Sequence, residues 1–344
     1  MKKLYVIIIV AMLCGLASCK SGISSTPDKS TPQPEAPSKT ASEVPSEISK
    51  ETSLQKSALE YTFDPYVLPS DAASYLGNCL PDYRKLVDAV LERQTTISLP
   101  EESLSKVYSC LIVEFPLCAL INDIYIDWEN SAVTISYIYS EEEHSEHIRA
   151  FTSRIEQVIS SAVLPAYNDC EKVLSLYRWT ANNIAYVDGN DVSAYHALMD
   201  GEGICQSYDG VFRFLLLQIG IDALNAGSFM DDGCAHQWTV VKIDDRWFHM
   251  DPTFEDSFDG GDGLTFFGMD DAAREQTGTV APFTTGIDAW WTSAPVCNSS
   301  RFDSFNLCVY WELNADTHSL LLYYNVGNEP YAVYDTASYK VSYF

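Results

Sequence analysis

The sequence predicts an α+β fold, and three observations predict it. Apolar residues recur at helical spacing in several segments, among them 82–94, 143–163 and 205–219. Two runs rich in β-branched and aromatic residues, 235–243 and 246–250, flank the dipeptide Asp244-Asp245 as the strands of an antiparallel hairpin would. From Leu307 onward apolar and polar residues alternate in three runs, LCVYWEL, SLLLYYNV and YAVYDTASYKVSYF, separated by turn residues such as Asn314, Asp316, Gly327 and Asn328. A chain of 344 residues suggests two folded units with unstructured ends.

Each element follows from its local chemistry. Residues 1–18 read as a signal segment. Residues 19–60 are rich in Ser, Thr, Pro, Glu and Lys and poor in apolar residues, so they form a tether that buries no core. Region 61–168 is an α+β portion. Helix 82–94 carries Leu86, Val87, Val90 and Leu91 on one face. Helix 101–115 carries Leu104, Val107, Tyr108 and Leu111 and is broken by Pro116. Strands 121–128 and 132–139 pair around Glu129-Asn130-Ser131, and helix 143–163 runs up to Pro165. Region 169–260 opens with helix 169–184, for which Asp169 is the expected N-cap. Its buried stripe is Val173, Leu176, Tyr177 and Thr180. The cluster Asp200-Gly201-Glu202-Gly203 then turns the chain into the apolar helix 205–219, closed by Gly220. Region 261–344 is a loop followed by the β-rich C-terminal runs. The stretch 258–271 loosely suggests a calcium loop but lacks its ordered acidic pattern, and reads as a loop.

Hydrophobic residues make up 47% of the chain, ample for a packed core, and the net charge is −27. Such a surface repels phosphate backbones, so nucleic acid is excluded as a partner class. At the N-terminus, Lys2-Lys3 precede an apolar run from residue 4 to 13 that ends in Leu16-Ala17-Ser18-Cys19. The run is too short to span a bilayer core of about 30 Å comfortably. The ending resembles the bacterial lipoprotein lipobox. The resemblance implies cleavage before Cys19, lipid on its sulfur, and a protein anchored to the outer face of a bacterial cell membrane. No later segment is long and apolar enough to cross a membrane.

The chemistry centres on Cys205. A thiol is nucleophilic only as thiolate, which the positive end of a helix and a proton-accepting imidazole both favour. Cys205 follows Gly201-Glu202-Gly203 and opens the 205–219 helix. His236 stands at the start of one hairpin strand and Asp251 at the end of the other. With Asp244-Asp245 as a two-residue turn, Ile243 pairs with Arg246 and Trp238 with Asp251. His236 and Asp251 are then diagonal neighbours on one face. Asp251 would fix the imidazole tautomer and stabilise the imidazolium.

These segments, Gly-Ile-Cys205-Gln-Ser-Tyr, Ala-His236-Gln-Trp-Thr-Val-Val-Lys-Ile-Asp and Trp247-Phe-His-Met-Asp251-Pro-Thr-Phe, resemble the core of the transglutaminase-like superfamily, which has the same Cys, His, Asp order. The similarity covers roughly 169–256. It implies a papain-like core in which Cys205, His236 and Asp251 are catalytic and a carbonyl carbon is attacked to give a thioester. Ser207 stands where bacterial members commonly have Gly, and Thr239 where Asn is usual. The backbone N–H of Cys205 or Gln206 is the expected oxyanion donor, with Tyr195 as a candidate second whose plainer reading is a packed aromatic in the turn.

Other residues take plainer readings. Of ten cysteines, most are expected to be buried free thiols, with one or two disulfides open. No spacing reads as a zinc site, and the chemistry requires neither metal nor organic cofactor. His249 shares strand parity with Asp251 and competes weakly for the role of base. His144, Glu146 and His147 read as a solvated helix start. The partners implied are a protein or peptide substrate, and the membrane through Cys19. The reaction expected is hydrolysis of a peptide or carboxamide bond ahead of transfer to an amine. The alternative is a catalytically silent binding or scaffold module.

Overall fold

A computed structural model describes residues 60–187, 193–286 and 290–344; Cys19 and the signal and tether segments lie outside them. The first portion holds helices α1 (Ser70–Leu76), α2 (Leu80–Leu91), α3 (Glu101–Glu114) and α4 (Glu141–Ala162), with strands β1 (Thr96–Ser98), β2 (Ile121–Asp127) and β3 (Ala132–Tyr137). The strands form an antiparallel sheet in the order β1-β3-β2. Helix α4 starts with a capping box in which Ser140 and Glu143 satisfy each other's backbone N–H groups. His144 and His147 are not solvated as expected. The His144 ring is buried, with Nε2 2.8 Å from Val90 O, and His147 Nδ1 lies 2.7 Å from the Tyr195 hydroxyl.

The middle portion holds α5 (Asp169–Asn183), β4 (Ala185–Tyr186), α6 (Ala194–Asp200), β5 (Glu202–Gly203), α7 (Cys205–Gln218), β6 (Ala223–Phe229), β7 (Ala235–Ile243) and β8 (Arg246–Met250). The N-cap of α5 is Asn168, one residue before the expected Asp169. Asn168 accepts from Glu171 N, and the Glu171 carboxylate accepts from Asn168 N. The reciprocal bond requires Glu at the third helical position, and only a cap at 168 supplies that spacing.

Helix α7 lies against a five-stranded sheet in the order β10-β9-β6-β7-β8, completed by β9 (Thr284–Thr285) and β10 (Thr292–Ser293). The β7–β8 register pairs Ile243 with Arg246 and Thr239 with Met250, as the two-residue turn requires. Helix α8 (Pro252–Asp259) follows where the sequence reading assigned no element, and α9 (Asp271–Gln276) where it suggested loop. The C-terminal runs fold into an antiparallel meander, β11 (Tyr310–Asn314), β12 (Ser319–Tyr323), β13 (Ala332–Asp335) and β14 (Lys340–Tyr343). One continuous apolar core joins all three portions, from Ala72 through Tyr177 and Phe212 to Tyr334. A smaller cluster of Ala226, Trp238, Val240 and Cys297 sits on the opposite face of the five-stranded sheet.

Candidate active site

Three elements converge on the site. Cys205 is the first residue of α7 and is partly exposed. Two side-chain features force the turn that aims it. Gly201 closes α6 in the left-handed region at φ 76°, and a Cβ on Gly203 would lie 2.5 Å from Ser207 Cβ. Ser207 is therefore more than a tolerated departure: its hydroxyl accepts from Ile204 N at 3.2 Å and seals the helix entrance. Ser207 N and Tyr208 N both turn back to Ile204 O. The backbone N–H groups of Cys205 and Gln206 find no such acceptor among the described residues, as expected of a first helical turn. Such free N–H groups at a helix start can receive an oxyanion. Tyr195 is not placed to do so. Its ring stacks on Phe151 in the core and its hydroxyl is engaged by His147, so the candidate second donor is withdrawn.

His236 and Asp251 meet across the β7–β8 hairpin with Nε2 to Oδ2 at 2.7 Å. Burial alone would raise the Asp251 carboxyl, but the facing His236 and Arg274 outweigh it and hold it at about 2. The ionised carboxylate only accepts, so Nε2 carries the proton and donates it. That leaves Nδ1 for Cys205, whose sulfur lies near enough to the ring to favour its charged form. Burial would lower the imidazolium, yet Asp251 and the sulfur outweigh it and raise His236 to about 9. The ring is clamped between Phe254, stacked at 4.4 Å, and Trp238 at 5.9 Å between centroids. Asp251 also caps α8, accepting from Phe254 N at 3.1 Å. The Asp-Pro sequence thus does two jobs, ending a strand on a carboxylate and starting a helix on proline.

Two charged residues at the site escaped the sequence reading. Asp209, one turn after Cys205, accepts from Gln237 Nε2 at 2.6 Å and Thr239 Oγ1 at 2.8 Å. It ties α7 to the two residues on either side of Trp238 in β7, the strand that carries His236. Thr239, the second departure from the family pattern, serves as one of those donors. Arg274, on α9, donates to Asp251 Oδ2 at 2.7 Å and is fully buried. Asp209 had a signal, an acid inside an apolar helical run with Arg213 four residues on. Arg274 had none, lying in a stretch taken for loop.

His249 is not the base. Together with Asp271 and Cys297 it brings a nitrogen, an oxygen and a sulfur within 4.8 Å of one another, a ligand set suited to a divalent ion. The hydrogen bonds assign these groups differently. The Trp238 indole N–H, which can only donate, reaches His249 Nδ1 at 2.9 Å. Nε2 must then carry the ring proton, and it faces Asp271 Oδ1 at 3.0 Å. A metal on Nε2 would have to displace that proton. Asp271 is held in turn by Cys297 N and donates its own N–H to Cys297 O at 2.7 Å. The trio is a structural relay that docks α9 onto β8. All eight described cysteines are free.

A thiol on a helix terminus beside a strand-borne imidazole and carboxylate defines the class of Cys-His-Asp thiol folds. The transglutaminase-like superfamily model matches residues 156–252, a span containing all three side chains, and that part of the chain is a transglutaminase-like core. No curated protein is significantly similar in sequence. Among solved structures, a candidate cysteine protease from Cytophaga hutchinsonii is 18% identical over 31% of this chain and 37% of its own, with a TM-score of 0.26. A TGase is 13% identical over 46% of this chain and 48% of its own, at 0.28. The periplasmic domain of TgpA from Pseudomonas aeruginosa, bound to ethylmercury, is 24% identical over 31% and 44%, at 0.23. The chain spans less than half the length of each. No helix among the described residues is long and apolar enough to cross a membrane.

Proposed function

We propose that the protein is a thiol hydrolase of peptide or carboxamide bonds, carried on the outer face of a bacterial cell membrane by lipid on Cys19. The observation that carries the reading is the convergence of Cys205, partly exposed at the start of α7, on the buried and hydrogen-bonded His236–Asp251 pair. Cys205 as thiolate adds to the carbonyl carbon, and the N–H groups of Cys205 and Gln206 receive the oxyanion. His236 gives its Nδ1 proton to the departing amine as the C–N bond breaks, leaving a thioester. Water then gives a proton to His236 and its oxygen to the acyl carbon, and the thiolate leaves. Asp251 stays ionised throughout and steadies the imidazolium.

Two measurements test this on the purified full-length protein. Iodoacetamide in mildly acidic buffer should label Cys205 ahead of the other thiols, and His236→Ala should slow that labelling at least tenfold. Equal reactivity of all thiols would defeat the proposal. With a glutamine-containing peptide, chain cleavage or ammonia release without uptake of an added primary amine supports hydrolysis. Amine incorporation would instead make the protein a transamidase. Metabolic labelling with a fatty acid, lost in Cys19→Ala, tests the anchor.

A further inference from the structure

Asp251 Oδ2 accepts from two cations at once, His236 Nε2 and Arg274 Nη1, each at 2.7 Å. The second is unusual in its burial. The Arg274 side chain has no exposed surface, and its guanidinium lies 3.8 Å above the Trp238 ring and 5.3 Å from the Phe254 ring centre. These are the two rings that clamp His236. Its Nε and Nη2 find no acceptor among the described residues. A permanently charged group buried with one carboxylate and two aromatic faces is costly to keep unless the charge is used. The helix that delivers it is docked by its own contacts: Asp270 caps α9, and Asp271 is bound by His249 and the Cys297 backbone.

We propose that Arg274 is a positioning residue that sets the proton affinity of the Cys205–His236 pair by taking a share of the Asp251 carboxylate. The assignment rests on the thiol-enzyme reading of the site. An imidazolium facing an unshared buried carboxylate holds its proton tightly and is a poor acid toward a leaving amine. A guanidinium on the same oxygen weakens that hold and leaves the geometry intact. Arginine does not titrate in the working range, so it acts by field and by fixing Asp251, never as a proton carrier. The neighbouring titratable groups do not replace it. Tyr177 donates its hydroxyl to Glu255 and burial keeps it protonated, while His249 is neutral in the relay. Asp209, raised to about 6 by burial, titrates on the acid side. The alkaline midpoint of His236 is therefore the diagnostic one.

The test is an NMR titration of the His236 ring in the full-length protein labelled with ring-13C histidine, its signal assigned by loss in His236→Gln. The wild-type midpoint is expected near 9. In Arg274→Gln it should rise by about one unit or more, the size of effect a nearby charge exerts. In Arg274→Lys, which keeps the charge, it should move by less than half as much. A structural role alone would lower Tm and leave the midpoint in place. A midpoint in Arg274→Gln within about 0.3 unit of wild type, or an equal shift in both variants, overturns the proposal. Should Arg274→Gln fail to fold, Arg274→Lys decides alone, and a shift of a full unit there overturns it. If Cys205 proves no more reactive than the other thiols, the enzymatic reading falls. The His236 titration still reports the coupling in that case, so the two failures are distinguishable.

Discussion

At the scale of single residues, Asp251 concentrates the demands of the site. One oxygen caps α8 and the other faces His236 and Arg274. Asp251→Ala strips the cap and leaves two buried cations without a counter-ion, so it should cost about 3–5 kcal/mol in urea denaturation. His236 gives a pH signature whose sign is set by its raised value. Its folded pKa of about 9 lies above the ordinary ~6.5. Its contribution is therefore complete below ~6.5 and is lost as pH rises through 9. The stability advantage of wild type over His236→Gln should be on the order of 3 kcal/mol in mildly acidic buffer and fade above about pH 9. An advantage that stayed constant to alkaline pH would contradict the buried ion pair. Much of this residue-level picture was legible in sequence because motif spacing carries it: a glycine turn before a helix, a strand before Asp-Pro. Of the two readings of Tyr195, the packed aromatic holds; distance along the chain could not decide between them, because it says nothing about which face of a short helix looks into the core.

At the scale of elements, what matters is how α7 is fastened to β7. Asp209 bonds Gln237 and Thr239 across the gap, and Arg213 on the same helix reaches Glu114 of α3. Burial raises Asp209 to about 6 and Glu114 to about 7 despite the facing Arg213. Asp209→Ala leaves two side-chain donors and part of a buried guanidinium unmatched. It should cost about 3 kcal/mol or more and slow Cys205 alkylation through loss of alignment. Asp209→Asn, which retains an acceptor for Thr239, should cost less. Gly203→Ala is the converse case, overpacking against Ser207 for about 1–3 kcal/mol by thermal or urea unfolding. Helices α3, α4, α5 and α7 and the β7–β8 hairpin were readable because each carries its own period. Strand β6 was not. Its sequence ALNAGSF is too small and polar to announce a strand, although it pairs with β7 along its whole length. Gly227 lets the Trp291 ring pack closely there, since a Cβ would lie a tight 3.3 Å from it. Helices α8 and α9 were missed because both are short and capped by aspartates, and α9 follows a stretch whose Gly and Asp density signals loop.

At the scale of the whole molecule, the C-terminal meander is part of the core rather than an appended module. Leu320, Leu322 and Tyr334 belong to the same buried cluster as Tyr177 and Phe212. Polar contacts reinforce the seam. The buried Glu171 carboxylate accepts from Thr336 Oγ1 at 2.7 Å and lies 3.0 Å from His318 Nδ1. Arg178 of α5 stacks 3.4 Å above the Trp311 ring and donates to Trp311 O at 2.8 Å. Helix α5 also carries Tyr177, whose hydroxyl donates to Glu255 at 2.7 Å and lies 3.2 Å from Asp251 O. The meander therefore braces the helix that underlies Asp251. A chain ending at residue 308 would expose Phe302 and Phe305, which are buried beside Tyr334. It would also strip Glu171 of Thr336 and His318 and Arg178 of Trp311. Such a truncation should fail to accumulate as soluble protein or should lose its near-ultraviolet circular dichroism. The full chain should unfold in one cooperative transition at which Cys205 becomes as reactive as the buried thiols. An independent C-terminal unit would instead produce two transitions, with the earlier one leaving selective Cys205 labelling intact. That outcome would separate the meander from the support of the triad.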